Sequence, residues 1–272
     1  MESYGFRYSA SEVPKVEWYM NFADENLFTV YGGPLFAQDE IQVTEHPVLA
    51  SVKEAALKLQ AKNDNLKPKT KENNRSTPIL IRNAERRVAI SVSPNALEGR
   101  PSGLYGSNFM NASPEAITKA TKPIQPPTTS NILAMEAPKF GSGEYSQSTI
   151  STILSTAYTG YLAAIEESKE HLKDQGINGD PQVVIHTGHW GCGAYGGNKN
   201  VMAIIQLIAA HLAHVDILVY HVLDNPEVLQ QATPIVEKLM VENASISTVV
   251  MEIQKMGFKW GITDALSQQP LG

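Results

Sequence analysis

The stretch Val184–Val201, VIHTGHWGCGAYGGNKNV, decides the fold and the candidate site of this 272-residue chain. A continuous apolar run leads into a loop with five glycines, which we call the glycine loop (Gly188–Gly197), and the loop leads into an amphipathic segment. The order predicts a buried strand, a ligand-binding loop and a helix. Glycine lets a ligand approach the backbone closely, and successive free N–H groups at a helix N-terminus bind anions. The stretch therefore predicts a phosphate or diphosphate site.

Strands and helices alternate on both sides of the glycine loop. Short apolar runs predict strands at 78–82, 88–92, 131–135, 182–186 and 216–222. Apolar residues spaced three and four apart predict helices at 146–174, 199–213 and, less clearly because of Pro234, at 226–240. The lysine-rich segment 58–77 has few apolar residues, which predicts a solvated loop. The pattern predicts an α/β fold with a parallel or mixed sheet in an α/β/α sandwich.

Composition narrows the classes of function. The chain is 42% hydrophobic and 18% charged, with a formal net charge of −6. A net acidic chain is a poor candidate for holding a nucleic-acid backbone, and a single cysteine excludes a disulfide framework. Charged residues interrupt every apolar run near the start, and no apolar window is long enough to span a bilayer. We expect a cytoplasmic protein with neither nucleic acid nor membrane as partner.

Three other interpretations of the glycine loop are weaker. Gly191–Gly196 (GCGAYG) fits the dinucleotide-binding pattern, but Asp224 lies farther along the chain than the acidic residue that such a site needs. Cys192 could be a nucleophile with His186 or His189 as its base, although a lone cysteine in such a loop is more often a small packing residue. The histidines lack a matching carboxylate motif, so no metal site is predicted.

A second segment, Asn21–Pro47, also carries chemistry. Gly32 and Gly33 form a predicted turn, and Gln38-Asp39-Glu40 stands just before an apolar run. Two neighbouring carboxylates repel each other, so one can be held protonated and act as an acid. The same pattern is also a common helix start. A further aromatic loop at 103–109 fits either an adenine-stacking role or a surface turn.

Together the two segments resemble the poly(ADP-ribose) glycohydrolase family of macrodomains. Residues 186–198 (HTGHWGCGAYGGN) are similar to that family's diphosphate loop, A-T-G-N-W-G-C-G-A-F-G-G-D. Residues 21–24 (NFAD) resemble its D-F-A-N strand end, and residues 38–40 resemble its Q-E-E catalytic signature. The resemblance implies a macrodomain-like three-layer sandwich with a mixed sheet, formed as a single domain over residues 1–272.

The resemblance also implies roles for individual residues. Glu40 would be the catalytic acid, Asp39 would orient ribose hydroxyls, and Asp24 would face the ribose where the family has an amide. The implied substrate-binding residues are Gly32, Gly33, Gln38, Thr187, Gly188, Trp190, Gly191, Cys192, Gly193, Ala194, Tyr195 and Gly196. No cofactor and no metal are implied.

The sequence departs from the family pattern before Gln38. Two glycines and Pro34 stand where the family has three glycines and a longer loop. A divergent subgroup, which includes bacterial effector-type hydrolases delivered to a host, removes single ADP-ribose units from proteins. We therefore expect a hydrolase that acts on ADP-ribosylated protein, with mono-ADP-ribose favoured. The alternatives are a poly(ADP-ribose) glycohydrolase and a reader that binds ADP-ribose without cleaving it.

Overall fold

The computed structural model describes residues 14–63, 67–223, 226–241 and 244–261. In chain order the elements are β1 (Lys15–Ala23), α1 (Gln38–Glu45), α2 (Val48–Gln60), β2 (Lys71–Glu72), β3 (Arg75–Ser76), β4 (Ile79–Ile90), α3 (Pro114–Ala120), β5 (Thr121–Glu136), α4 (Gln147–Asp174), β6 (Gln182–Gly188), α5 (Lys199–Ala213), β7 (Ile217–His221), α6 (Glu227–Val241) and α7 (Ile246–Lys255).

Five of these strands form one mixed sheet in the order β4-β5-β1-β6-β7. Strand β4 is antiparallel to β5. Strand β1 is parallel to both β5 and β6, and β6 is parallel to β7, so these four strands run in the same direction. The carboxyl ends of these four strands therefore meet at one edge of the sheet, where open α/β sheets bind ligands. Strand β1 lies at the centre, with Trp18 in register with Asn131 on one side and Ile185 on the other.

Alternate side chains of β1 enter two different cores, as the pleat of a strand requires. Trp18 and Met20 pack with residues of α4, α5, α6 and α7 on one face of the sheet. Tyr19 and Ala23 pack on the other face, against Val43 of α1 and other residues that include Leu49 of α2. Helices thus cover both faces. The predicted α/β/α sandwich with a mixed sheet is confirmed.

The helices around the glycine loop follow the sequence prediction closely. Helix α4 begins after Ser146, whose hydroxyl accepts a hydrogen bond from the Thr149 N–H, and α5 begins after Asn198, whose side chain accepts from two N–H groups. Helix α6 continues through Pro234. Among the described residues, no helix is both long and apolar enough to cross a membrane.

The strands on the β4 side are longer than predicted. The two predicted strands at 78–82 and 88–92 are parts of one strand, β4, whose register with β5 shifts between Ile81 and Ala84. Asn83 takes a left-handed conformation there (φ 56°), so the strand passes through an irregularity instead of ending. Strand β5 extends the predicted 131–135 strand backwards through three prolines to Thr121.

The prediction of a solvated loop at 58–77 is wrong for much of that segment. Its first residues complete α2, and residues 71–76 form the short β2–β3 hairpin. Thr70 is fully buried: its N–H donates to the Glu25 carbonyl (2.9 Å) and its hydroxyl to the Asp24 carbonyl (2.7 Å). These bonds hold the segment against the turn that follows β1, where Lys69 forms an ion pair with Glu25 at 3.1 Å.

A buried ion pair joins α1 to β4. Glu45 Oε2 lies 2.9 Å from Arg86 Nε, and both side chains are almost completely buried. Glu45 Oε1 also accepts a hydrogen bond from the Ile90 N–H at 2.9 Å. Removing one partner of such a pair leaves an uncompensated buried charge, which typically costs about 3–5 kcal/mol. The end of α1 is therefore strongly anchored.

Candidate active site

The predicted acidic residues meet in a cleft at the carboxyl end of β1. Asp24 directly follows β1, and Asp39 and Glu40 lie in the first turn of α1. The cleft holds a cavity of about 90 Å³. Its lining residues are Phe22, Asp24, Thr29, Val30, Leu35, Ala37, Gln38, Asp39, Glu40, Tyr105, Ala137, Ala194 and Tyr195. The structure thus brings the three predicted catalytic residues together with part of the glycine loop.

Gln38 attaches the start of α1 to the central strand. Pairing between β1 and β6 ends at Tyr19 and His186, whereas pairing with β5 continues to Ala23. The Gln38 amide donates to the Met20 carbonyl and accepts from the Phe22 N–H, both at 2.7 Å. Gln38 was predicted to bind substrate. The structure places it in the cleft wall and uses both ends of its amide to fix the helix.

Asp39 is buried beneath the cleft. Its Oδ1 atom accepts a hydrogen bond from Asn21 Nδ2 at 3.0 Å. Burial and, to a lesser degree, the neighbouring charge of Glu40 raise the pKa of Asp39 to about 7, while Asn21 and Lys53 oppose the shift. Asp39 and Glu40 are thus a pair in which one proton is retained up to near-neutral pH.

Glu40 is also buried, and its backbone surroundings partly stabilise its charge. Its Oε2 atom accepts a hydrogen bond from the Ala37 N–H at 2.9 Å, so Glu40 closes the first turn of its own helix. Burial raises the pKa of Glu40, while hydrogen bonds from its own N–H and from that of Ala37 act in the opposite direction. An acid with a raised pKa is suited to donate a proton near neutral pH.

Asp24 has a different environment. Its Oδ2 atom lies 2.6 Å from Lys139 Nζ and accepts a hydrogen bond from the Tyr195 hydroxyl at 3.2 Å. Burial acts to raise the pKa of Asp24, but the hydrogen bonds from Lys139, Asn26 and Tyr195 and the charge of Lys139 outweigh it, and the pKa is lowered. The pKa of Asp24 is thus shifted towards the ionised form, whereas the pKa values of Asp39 and Glu40 are shifted in the opposite direction.

The glycine loop presents unused backbone donors. Strand β6 ends at Gly188, and the N–H groups of Trp190, Cys192, Gly196 and Gly197 donate to carbonyls within the loop. Within the described part of the chain, no backbone carbonyl accepts from the N–H groups of residues 193–195. Three successive free donors are what a phosphate-binding loop requires.

Close contacts explain three of the glycines. Gly191 has φ 71°, and a Cβ atom there would lie 2.6 Å from the Pro138 carbonyl oxygen. A Cβ at Gly197 would lie 2.7 Å from the Gly191 carbonyl oxygen. At Gly193, the added atom would lie 2.9 Å from the Tyr105 hydroxyl, which belongs to the cleft lining. Side chains at these positions would force the loop and its neighbours apart.

Not every predicted binding residue reaches the cleft. Trp190 and Cys192 are buried in the core beneath the loop, and Trp190 lines a neighbouring cavity of about 290 Å³. The hydroxyl of Thr187, also buried, donates to Gln206 Oε1. Ala194 and Tyr195 do line the cleft. The sequence pattern therefore includes two kinds of residue: those that line the cleft and those that are buried in the core and support the loop.

The remaining predicted glycines shape turns. Gly32 has φ 78°, and the Gly33 N–H donates to the Val30 carbonyl at 2.8 Å, closing a turn before α1. Gly196 also has a positive φ, at 74°. A Cβ at Gly188 would lie 3.0 Å from the His221 carbonyl oxygen of the adjacent strand. These glycines set the backbone course around the cleft.

The alternative interpretations find little support in the geometry. Asp224, which the dinucleotide interpretation requires, lies outside the described residues. Cys192 is buried, and its thiol lies 3.5 Å from the Trp190 carbonyl oxygen. His186 and His189 contact His221, Glu17, Tyr220 and the Val222 carbonyl. Within the described residues, no group of three or more potential ligands could hold a metal ion.

Three residues of the site were missed from the sequence. Lys139 follows β5 and reaches Asp24, Asn21 holds Asp39, and Phe22 lines the cleft. Tyr105, from the aromatic loop 103–109, lies beside Gly193 in the cleft wall. The Asn21 position was visible in the strand-end motif. The Lys139 contact joins residues 115 positions apart and depends on the sheet order, which no local pattern encodes.

One family of known protein domains matches part of this chain. The family model for the poly(ADP-ribose) glycohydrolase (PARG) catalytic domain, macro domain fold, matches residues 102–230, which include the glycine loop but not the segment from Asp24 to Glu40. Residues 102–230 are therefore similar to that catalytic domain, and the α/β fold described above is macrodomain-like.

Solved structures of one bacterial protein are also similar. Poly(ADP-ribose) glycohydrolase from Deinococcus radiodurans, in complex with ADP-ribose, is 15% identical, with a TM-score of 0.44 over 84% of this chain and 77% of that one. A point mutant of the same enzyme, also with ADP-ribose, is 15% identical, with a TM-score of 0.38 over 83% and 77%.

Proposed function

We propose that this protein hydrolyses the glycosidic bond of ADP-ribosylated protein, with single ADP-ribose units as the favoured substrate, and that residues 1–272 act as one macrodomain. One observation carries the proposal. The buried acids Asp39 and Glu40 line the same cleft as residues 194 and 195 of the glycine loop, whose N–H groups, with that of Gly193, have no backbone acceptor within the described residues. An acid and an anion site are the two parts that cleavage of a diphosphate-linked ribose requires.

The acids divide the work according to their surroundings. Cleavage at the anomeric carbon proceeds with oxocarbenium-ion character and needs a proton on the departing oxygen. Glu40, whose pKa is raised by burial, would donate that proton and then take one from the attacking water. Asp39, held by Asn21, would orient the ribose hydroxyls, and the ionised Asp24 would accept hydrogen bonds from the ribose or the water.

The glycine loop would hold the diphosphate and so position the ribose. Binding energy gained at a remote group of the substrate is used to place the reacting carbon beside the acid. Tyr195 would pack against the ribose, because its ring lines the cleft and its hydroxyl is bound to Asp24.

Two features support mono-ADP-ribose over the polymer. The net charge of −6 disfavours a long polyanion running over the surface. The turn before α1 contains only Gly32 and Gly33 and is followed directly by Pro34, which stiffens it. Both features fit a single ADP-ribose unit that is bound locally.

A direct assay tests the proposal. The protein is incubated with mono-ADP-ribosylated protein and, separately, with poly(ADP-ribosylated) protein, and released ADP-ribose is measured beside calorimetric binding of ADP-ribose. Release from the mono-ADP-ribosylated substrate supports the proposal. Release only from the polymer would show a poly(ADP-ribose) glycohydrolase, and binding without release would show a reader.

A further inference from the structure

A cation stands beside the cleft although the glycine loop contains none. No lysine or arginine occurs from Gly188 to Asn198, so the loop offers an anion backbone N–H groups but no basic side chain of that kind. Lys139 comes from the segment after β5 and lies 2.6 Å from Asp24. Its Nζ atom is also 5.9 Å from the centre of the Tyr195 ring. The Lys139 ammonium group therefore lies between the Asp24 carboxylate and the Tyr195 ring.

The segment that carries Lys139 is fixed to the glycine loop. The N–H of the next residue, Phe140, donates to the Tyr195 carbonyl at 3.0 Å, and the two rings meet edge to face at 5.1 Å. Pro138 packs against Gly191 so closely that a Cβ atom would not fit. Lys139 therefore has a defined position relative to the loop, and its contact with Asp24 is part of that arrangement.

The carboxylates of the cleft would repel an anionic ligand. Asp24, Asp39 and Glu40 all line the cleft, and a diphosphate would add two more negative charges nearby. Lys53 acts on Asp39 from α2, but its ammonium group donates to the carbonyls of Phe28 and Thr29. The pKa of Asp24 is lowered, whereas burial raises those of Asp39 and Glu40, so Asp24 adds a negative charge at the cleft that only a nearby cation such as Lys139, 2.6 Å away, offsets.

We propose that Lys139 is a positioning and specificity-determining residue, which neutralises Asp24 and so allows a diphosphate-bearing ligand to bind in a cleft lined by carboxylates. The inference rests on the proposed function, because the ligand class is ADP-ribose. The new claim concerns only the Lys139–Asp24 ion pair. The pair acts as one neutral unit, and removing either charge alone changes the affinity for the anion.

The experiment measures ADP-ribose binding by calorimetry for Lys139→Met, Asp24→Asn and the double variant. Lys139→Met leaves Asp24 unpaired, and we expect affinity to fall about tenfold or more at low salt, with a smaller fall at high salt because ions screen the repulsion. Asp24→Asn keeps a side-chain oxygen that can accept a hydrogen bond but leaves Lys139 unpaired, so affinity should rise about threefold or more at low salt. The double variant, which lacks both charges, should return to within about threefold of the wild type.

Two further variants separate charge pairing from simple structural effects. Lys71→Met removes the same charge from a pair of similar exposure, Lys71 and Glu136 at 2.8 Å, and should change affinity by less than about threefold. Lys139→Arg keeps the cation and should restore most of the binding. If Lys139→Met is unstable, Asp24→Asn and Lys139→Arg still test the proposal.

The outcomes also distinguish this proposal from the proposed function. Equal affinities for Lys139→Met and Lys71→Met, or a double variant as weak as Lys139→Met, would overturn the role of Lys139 while leaving ADP-ribose hydrolysis intact. A wild-type protein that does not bind ADP-ribose would overturn both.

Discussion

Gln38 and Phe22 are joined by a hydrogen bond of 2.7 Å, in which the side-chain oxygen of Gln38 accepts from the backbone N–H of the strand residue. The same amide donates to the Met20 carbonyl. A helix side chain thus takes the place of the strand partner that β6 no longer provides beyond His186. The first turn of α1, with its two acids, is positioned by the central strand of the sheet.

Gln38→Leu should therefore destabilise the fold and disturb the site. It leaves the Met20 carbonyl and the Phe22 N–H without their partners, and each buried unsatisfied group costs about 1–3 kcal/mol. We expect the free energy of unfolding to fall by about 2–4 kcal/mol, measured by urea denaturation. Gln230→Leu, at an exposed position of α6, is the control and should change stability by less than about 0.5 kcal/mol. A stable Gln38→Leu variant would contradict the anchoring role.

Glu40→Gln should separate catalysis from binding. A positioned general acid typically contributes about 10²–10⁴-fold, so release of ADP-ribose from modified protein should fall by that order. Calorimetric affinity for ADP-ribose should stay close to that of the wild type. Glu170→Gln, on the exposed surface of α4, is a matched control. Unchanged turnover in Glu40→Gln would remove Glu40 from the mechanism.

Gly193→Val should abolish ADP-ribose binding. The new Cβ would lie 2.9 Å from the Tyr105 hydroxyl, and the side chain would occupy space beside the free N–H groups that we propose to bind the diphosphate. Gly261→Val is the control, because a Cβ there has no atom of the described, non-adjacent residues within 4 Å. Both variants are compared by calorimetry and by thermal unfolding. Wild-type affinity in the first variant would show that the diphosphate binds elsewhere.

Asp39→Asn should change how stability depends on pH. The pKa of Asp39 is raised to about 7 in the folded protein, so between about pH 4 and pH 7 the folded state holds a proton that the unfolded state has lost. Stability therefore falls as pH rises through this window, by at most about 4 kcal/mol. The amide introduced by the substitution does not titrate, so the variant should gain stability relative to the wild type as pH rises from about 4 to about 8. Urea denaturation measures this free energy at each pH. A difference between the variant and the wild type that stays the same from about pH 4 to about pH 8 would refute the prediction.

The elements with a strong local sequence pattern were predictable from the sequence. Helices α4 and α5 carry long apolar stripes and begin at Ser146 and Asn198, and β6 is a continuous apolar run. Strand β1, in contrast, carries Lys15 and Glu17 among its apolar residues, and no strand was predicted there except as the family's strand-end motif. Its central position in the sheet depends on partners far along the chain.

The residues of the site also fall into two groups, those indicated by local motifs and those that depend on distant contacts. Local motifs indicated the glycine loop and the two acids of α1, because each lies within a few residues of a turn or a helix start. The side chains that contact these residues come from elsewhere in the chain: Asn21 reaches Asp39 and Lys139 reaches Asp24. The lysine-rich segment was misjudged because polar side chains do not reveal that its backbone and Thr70 bind the turn after β1.

The ion pair of Glu45 and Arg86 has a consequence for the acids at the other end of the same helix. Helix α1 spans eight residues, and it is attached at its first residue by Gln38 and at its last by Glu45. A helix held at both ends has little freedom to slide or tilt when a ligand arrives. Folding alone therefore fixes the positions of Asp39 and Glu40, before any ligand arrives.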